Sequence, residues 1–147
     1  MDLKRKEKIN PEKYYADASI WIDIYEDRKG YNNELFGDYA LKFFPILKAQ
    51  GKTLVITDIL LKELESFYSL EEIKGMIKPF EKIIARIIST KSQREEARSI
   101  AKERQIPPGD VLHAILARAN KLILITRDNH FRKLADLAEH YLPEELI

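Results

Sequence analysis

Two unbroken apolar runs, 53–57 (TLVIT) and 121–126 (KLILIT), constrain the fold more than any other feature of the sequence. Neither alternates polar with apolar positions, and both are too short for a core helix, so each reads as a strand covered on both sides. Strands of that kind belong to parallel sheets with helices above and below. Two weaker segments join them, Tyr14-Tyr15-Ala16 and 85–89 (ARIIS). Helical patterns fill the intervals: one beginning after Ser19, then 34–49 stopped by Gly51, 58–68, 70–84 interrupted at Pro79, 92–104, 110–120 and 129–139. Ser92 and Glu95 have the spacing of a capping box at the start of 92–104. The segment at Leu142 and Pro143 leaves room for a last short strand. Strands separated by helices imply right-handed crossovers, so the expected fold is a three-layer α/β/α sandwich with a central parallel sheet of four or five strands.

The 147 residues suit one such domain, read as 13–147 behind a polar, mixed-charge lead-in at 1–12. With 45% hydrophobic and 33% charged residues, a disordered chain is excluded. No apolar run approaches the ~20 residues that span a bilayer, and the lead-in lacks the apolar core of a secretory signal. A cytoplasmic location is expected. The absence of cysteine removes disulfides, thiolate zinc sites and cysteine nucleophiles together. Lys+Arg 25 against Asp+Glu 24 gives no net-charge signal for nucleic acid, so any such partner must be met by local charge.

Ligands of open parallel sheets sit beyond the carboxyl ends of the strands. Acids collect there in this sequence: Asp17 after the first strand, Asp58 and Glu63 after the second, Asp128 after the fourth, with Asp110 opening the helix before it. Taken singly, Asp17, Asp110 and Asp128 are explained as N-caps that accept from free backbone N–H groups. Glu63 is harder to dismiss. At about 100° per residue it falls between Ile59, Leu60 and Phe67, on the apolar stripe of its helix, where an ionised carboxylate needs a cation or donors. A structural salt bridge is the competing reading. Should the four acids converge, their mutual repulsion calls for a cation, and carboxylate ligands favour magnesium or manganese. Zinc is disfavoured, because His113, His130 and His140 have no ligand spacing.

The segments YYADAS, VITDILLKELES and PPGDVLHAILARANKLILITRDNHF, in this order from Tyr14 to Phe131, resemble the PIN-domain family. The resemblance implies a magnesium- or manganese-dependent endoribonuclease that hydrolyses RNA phosphodiester bonds, leaving a 3′-hydroxyl and a 5′-phosphate. It assigns the four acids, in order, to Asp17, Glu63, Asp110 and Asp128, with Thr126 as a hydroxyl residue near them and Asn129 as an accessory. In the implied mechanism, one ion, or two with substrate, activates water. Asp17, Asp110 and Asp128 are its ligands, and Glu63 orients water or the hydrated ion. Many PIN proteins resemble the toxin half of VapBC-type toxin–antitoxin pairs, which implies an antitoxin partner and a homodimer. The charged lead-in and the loop at 29–33 depart from the compact pattern and weaken the toxin reading.

An acidic centre repels RNA unless metal and basic flanks offset it. The candidates for phosphate contact are Arg94, Arg98 and Lys102 on helix 92–104, together with Arg127. The first three also read as a solvated face balanced by Glu95, Glu96 and Glu103, and Arg127 as the partner of an acid. The cluster Lys4, Arg5, Lys6 and Lys8 is equally a solubilising tail. His113 and His130 read as packing or surface residues rather than bases, and Trp21, Phe43, Phe44 and Phe67 as core. Two other readings stand beside the nuclease. One is a non-catalytic PIN-like module that binds RNA or protein, which the full set of four acids argues against. The other is a phosphoryl-accepting domain using Asp17, disfavoured because Ala18 and Ser19 replace the Asp-x-Asp pattern.

Overall fold

Tyr14, Tyr15 and Ala16 form the middle of the molecule. They belong to β1 (Lys13–Ala16), which pairs in parallel with β2 (Thr53–Thr57) on one side and β4 (Ile123–Ile125) on the other. The computed structural model describes residues 13–147, so the lead-in with Lys4, Arg5, Lys6 and Lys8 lies outside the described residues. β3 (Ile84–Ile87) adds to β2 and β5 (His140–Tyr141) adds to β4, giving an all-parallel order β3-β2-β1-β4-β5. Every residue of β4, and all but the first of β1 and β2, is buried, as the unbroken apolar runs require.

Among the described residues six α-helices complete the sandwich: α1 (Ala18–Glu26), α2 (Phe36–Ala49), α3 (Asp58–Glu65), α4 (Leu70–Ile77), α5 (Lys91–Arg104) and α6 (Pro108–Asn120). α1 packs on α2, and α5 on α6. Two positions show how the backbone allows this. Gly51, at φ +66°, turns the chain from α2 into β2 in the left-handed region that favours glycine. At Gly37 an added Cβ would lie 2.7 Å from the carbonyl oxygen of Asp23, so glycine lets α2 start directly against the end of α1. Beneath them Trp21, Phe44 and Phe80 meet edge to face, with centroids 5.0–6.1 Å apart.

Pro79 ends α4 as expected. The chain continues as a 3-10 turn, Lys78–Ile83, because proline supplies no backbone donor for the next helical bond. Three expectations are corrected. The capping box of α5 is Thr90 with Gln93, not Ser92 with Glu95; Thr90 has the extended backbone (φ −94°, ψ 160°) of an N-cap, while Ser92 is already inside the helix. The helix expected at 129–139 is only a 3-10 turn, Asn129–Leu134, since the chain must reverse in time to enter β5. Phe67 is 71% exposed rather than core: α3 stops at Glu65, so the helical wheel no longer places it.

Candidate metal centre

The order β3-β2-β1-β4-β5 reverses direction between β1 and β4, and in open parallel sheets that crevice is where ligands bind. Asp17 lies there, immediately after β1. Its backbone N–H bonds to the Ile125 carbonyl at 3.1 Å, so the residue is locked to the end of β4. Its carboxylate is buried and accepts from the Ser19 amide (3.1 Å) and hydroxyl (2.5 Å) through Oδ1, and from the Thr126 hydroxyl (2.5 Å) through Oδ2. Asp17 therefore is the N-cap of α1, as the bland reading held, yet the cap does not exhaust it. Burial, the largest influence, lifts its pKa to about 6, despite those hydrogen bonds and the charge of His113.

Thr126 also accepts from the Asp128 amide at 3.0 Å, which couples the first acid to the fourth. Asp128 caps the following turn through the His130 amide at 2.9 Å. Across from it, Asp110 sits in the first turn of α6, where no side chain caps the helix. The His130 imidazole bridges the two, with Nδ1 2.7 Å from Asp110 Oδ2 and 3.0 Å from Asp128 Oδ1. Burial and then the Asp128 charge raise the pKa of Asp110.

Glu63, on α3, points to the same end of the sheet. It is half-buried beside the fully buried Leu60 and Leu64, and its carboxylate meets Nε2 of His113. It also couples electrostatically to Asp17, raising the latter's pKa. His113 is buried, one turn beyond Asp110 on α6, and its Nδ1 meets the Tyr15 hydroxyl. Burial opposes a charged imidazole here, but the hydrogen bond and charge of Glu63, with Asp17 and Asp110, outweigh it, so the His113 pKa lies above the usual value. The reading of His113 as plain packing is thus corrected. A signal was present: Asp110-x-x-His113 places both on one helix face.

Of the basic candidates, Arg127 is not free to meet phosphate. Its Nε donates to buried Asp23 at 2.9 Å, its two terminal nitrogens to Glu144 at 2.8 and 2.6 Å, and the guanidinium stacks on Phe36 at 3.8 Å. Arg94 is also engaged, donating to the carbonyl and hydroxyl of Ser89 at 2.8 and 3.0 Å. Arg98 and Lys102 are exposed. Asn129 lines a cavity of about 260 Å³ that includes Thr126, Asp128, Arg132 and His140. Arg132, exposed on its rim, was not singled out from the sequence.

Asp110, Asp128 and His130 each present one ligating atom within 4.8 Å of the others, so these residues fit a divalent ion. Histidine spacing in the sequence does not disclose this set, because its members come from α6 and from the turn after β4. Oxygen donors suit magnesium and manganese, and an imidazole adds tolerance for later transition metals.

The PIN domain family model matches residues 14–137, and the chain belongs to that family. PIN domains are in general divalent-metal-dependent nucleases. Among solved structures the chain is similar to one described as the crystal structure of VapBC2 from Rickettsia felis bound to a DNA fragment from their promoter. Identity is 20% and the TM-score 0.62, covering 87% of this chain and 98% of that one, a likeness of fold. No curated protein matches. No helix among the described residues is long and apolar enough to cross a membrane.

Proposed function

We propose that the protein is an endoribonuclease using Mg²⁺ or Mn²⁺, with Asp17, Glu63, Asp110 and Asp128 as its acidic centre and Thr126 supporting Asp17. The observation that carries this is the gathering of Asp110, Asp128 and His130 within 4.8 Å at the crevice where buried Asp17 also lies. Asp17, Asp110 and Asp128 would hold the ion, with His130 either joining them or giving way to it. A bound ion would supply Lewis acidity toward a phosphodiester and lower the pKa of water. The protein's own part is orientation. Thr126 fixes the Asp17 carboxylate by a 2.5 Å hydrogen bond, and Glu63 is held at the lip of the crevice, facing solvent enough to position a water. Arg132, with the exposed Arg98 and Lys102, offers positive charge for the RNA backbone.

The phosphoryl-acceptor reading is weakened by the burial of Asp17 and by the donors on both of its oxygens. The non-catalytic reading meets the nuclease in one assay. Labelled single-stranded RNA should be cut when Mn²⁺ or Mg²⁺ is added and spared in EDTA, and Asp17→Asn should lower the rate at least ~100-fold, as loss of a positioned electrostatic group does. Parent-like cleavage by Asp17→Asn, or none by the parent, would leave a binding module.

The finer reading, in a cytoplasmic toxin–antitoxin pair, rests on the family resemblance. Co-expression with the product of an adjacent small reading frame is then expected to suppress cleavage, and light scattering to give the mass of two copies. Undiminished cleavage would remove the toxin role, and a monomer mass the dimer.

A further inference from the structure

Beneath the acids runs a line of buried polar contacts that the four-acid scheme does not use. Thr57 ends β2, and its Oγ1 caps α3 by accepting from the Leu60 amide at 3.1 Å. The same oxygen lies 2.7 Å from the hydroxyl of Tyr15 on β1. The Tyr15 hydroxyl meets Nδ1 of His113, and His113 Nε2 meets the Glu63 carboxylate. Thr57, Tyr15 and His113 are each no more than 1% exposed, whereas Glu63 keeps 34% of its side chain in solvent.

Directions follow from donor chemistry. An ionised carboxylate only accepts, so Nε2 carries the proton toward Glu63. In the neutral ring, Nδ1 accepts from Tyr15, whose oxygen accepts in turn from Thr57. In the charged ring, Nδ1 donates to Tyr15, which donates to Thr57. Both arrangements keep the contacts of the ring to Tyr15 and Glu63, so the imidazole plane stays fixed in either state. Tyr15 remains a neutral phenol, its pKa held well above the usual value chiefly by burial. A glutamate on a helix surface otherwise samples several rotamers, and ordering it costs side-chain entropy. Here a rigid ring seated in the core removes that freedom.

We infer that His113, backed by Tyr15 and Thr57, is a positioning residue that fixes the Glu63 carboxylate beside the other acids. The inference rests on the proposed metal-binding role of Glu63. It reaches the ion only through Glu63, as outer partners of ligating groups do, and losing such a partner typically weakens metal binding about 10–100-fold. The chain also ties four elements to one another at the crevice: β1 through Tyr15, β2 through Thr57, α3 through Glu63, and α6 through His113.

The test has two arms. Calorimetric titration with Mn²⁺ compares the parent with Tyr15→Phe, His113→Ala, Glu63→Gln and the His113→Ala/Glu63→Gln double variant, each checked for its fold by circular dichroism. Tyr15→Phe touches neither Glu63 nor the ion and keeps the ring packed, so it stands in if His113→Ala fails to fold. Tyr15→Phe and His113→Ala are each expected to weaken Mn²⁺ binding about 10-fold, and the double variant to be no weaker than Glu63→Gln alone. Parent-like affinity in folded Tyr15→Phe and His113→Ala, or losses that add fully to that of Glu63→Gln, would overturn the inference. The second arm follows the His113 ring resonances by NMR in metal-free protein. They should move in Glu63→Gln and in Tyr15→Phe; unmoved resonances would overturn the link. Absence of Mn²⁺ binding in the parent would instead defeat the proposed metal site, with the His113–Glu63 link still decided by the resonances.

Discussion

Asp17 shows how a single carboxylate can serve the site at the expense of the fold. Because burial raises its pKa from 3.8 to about 6, the folded protein favours its protonated form, a contribution complete below about pH 3.8 and lost as pH rises through about 6. Near neutral pH without metal, the ionised group then costs up to about 3 kcal/mol. Asp17→Asn in EDTA should therefore resist urea better than the parent at about pH 7.5, by about 1–3 kcal/mol, and the gap should close near pH 4. Equal stability across that range would contradict the burial argument. Arg127 carries the opposite sign. Its removal strands the buried carboxylate of Asp23, so Arg127→Ala should lose about 3 kcal/mol in thermal or urea unfolding, and less when Asp23→Asn accompanies it. Sequence position made the four acids visible, because each falls at a strand end or on a helix face that the pattern defines. It offered Arg127 as the partner of an acid without saying which one, and it did not reveal the His113 contact. Both depend on partners about 50 and 104 residues away in the chain, Glu63 and Asp23, which no local pattern brings together.

Among the elements, the long regular ones were legible and the short ones were not. TLVIT appears as β2 over its full length, and α5 ends where expected, at Arg104, because apolar pattern and helix propensity agree there. Thr90-x-x-Gln93 and Ser92-x-x-Glu95 overlap in the same sequence, and only the extended backbone at Thr90 selects the first as the start of α5. The choice is testable: Thr90→Ala should cost about 1 kcal/mol, while Ser92→Ala should change stability by less than about 0.5 kcal/mol. Equal losses would mean that the cap is shared. Phe67 and the 129–139 segment were misread for one reason, a helix assumed to run on after tertiary connections had ended it. Glu63 escapes that error because it lies within α3, next to the two leucines that anchor the helix.

For the molecule as a whole, the sheet order does the decisive work. Placing β1 between β2 and β4 brings the residues that follow β1 and β4 to one crevice, with α3 and α6 in contact with each other beside it. Strand order is invisible to local patterning, so the sequence implied a parallel sandwich and acids at strand ends, while their convergence came from the topology and was anticipated through the family resemblance. The same arrangement defines what must be seen if the functional account holds. A crystal soaked in Mn²⁺ should give an anomalous difference peak in contact with the carboxylates of Asp110 and Asp128, within reach of Asp17, and the peak should vanish in Asp110→Asn crystals treated alike. Density absent from that crevice, with the protein otherwise unchanged and Mn²⁺ in excess, would contradict the claim that these acids are gathered to hold a cation.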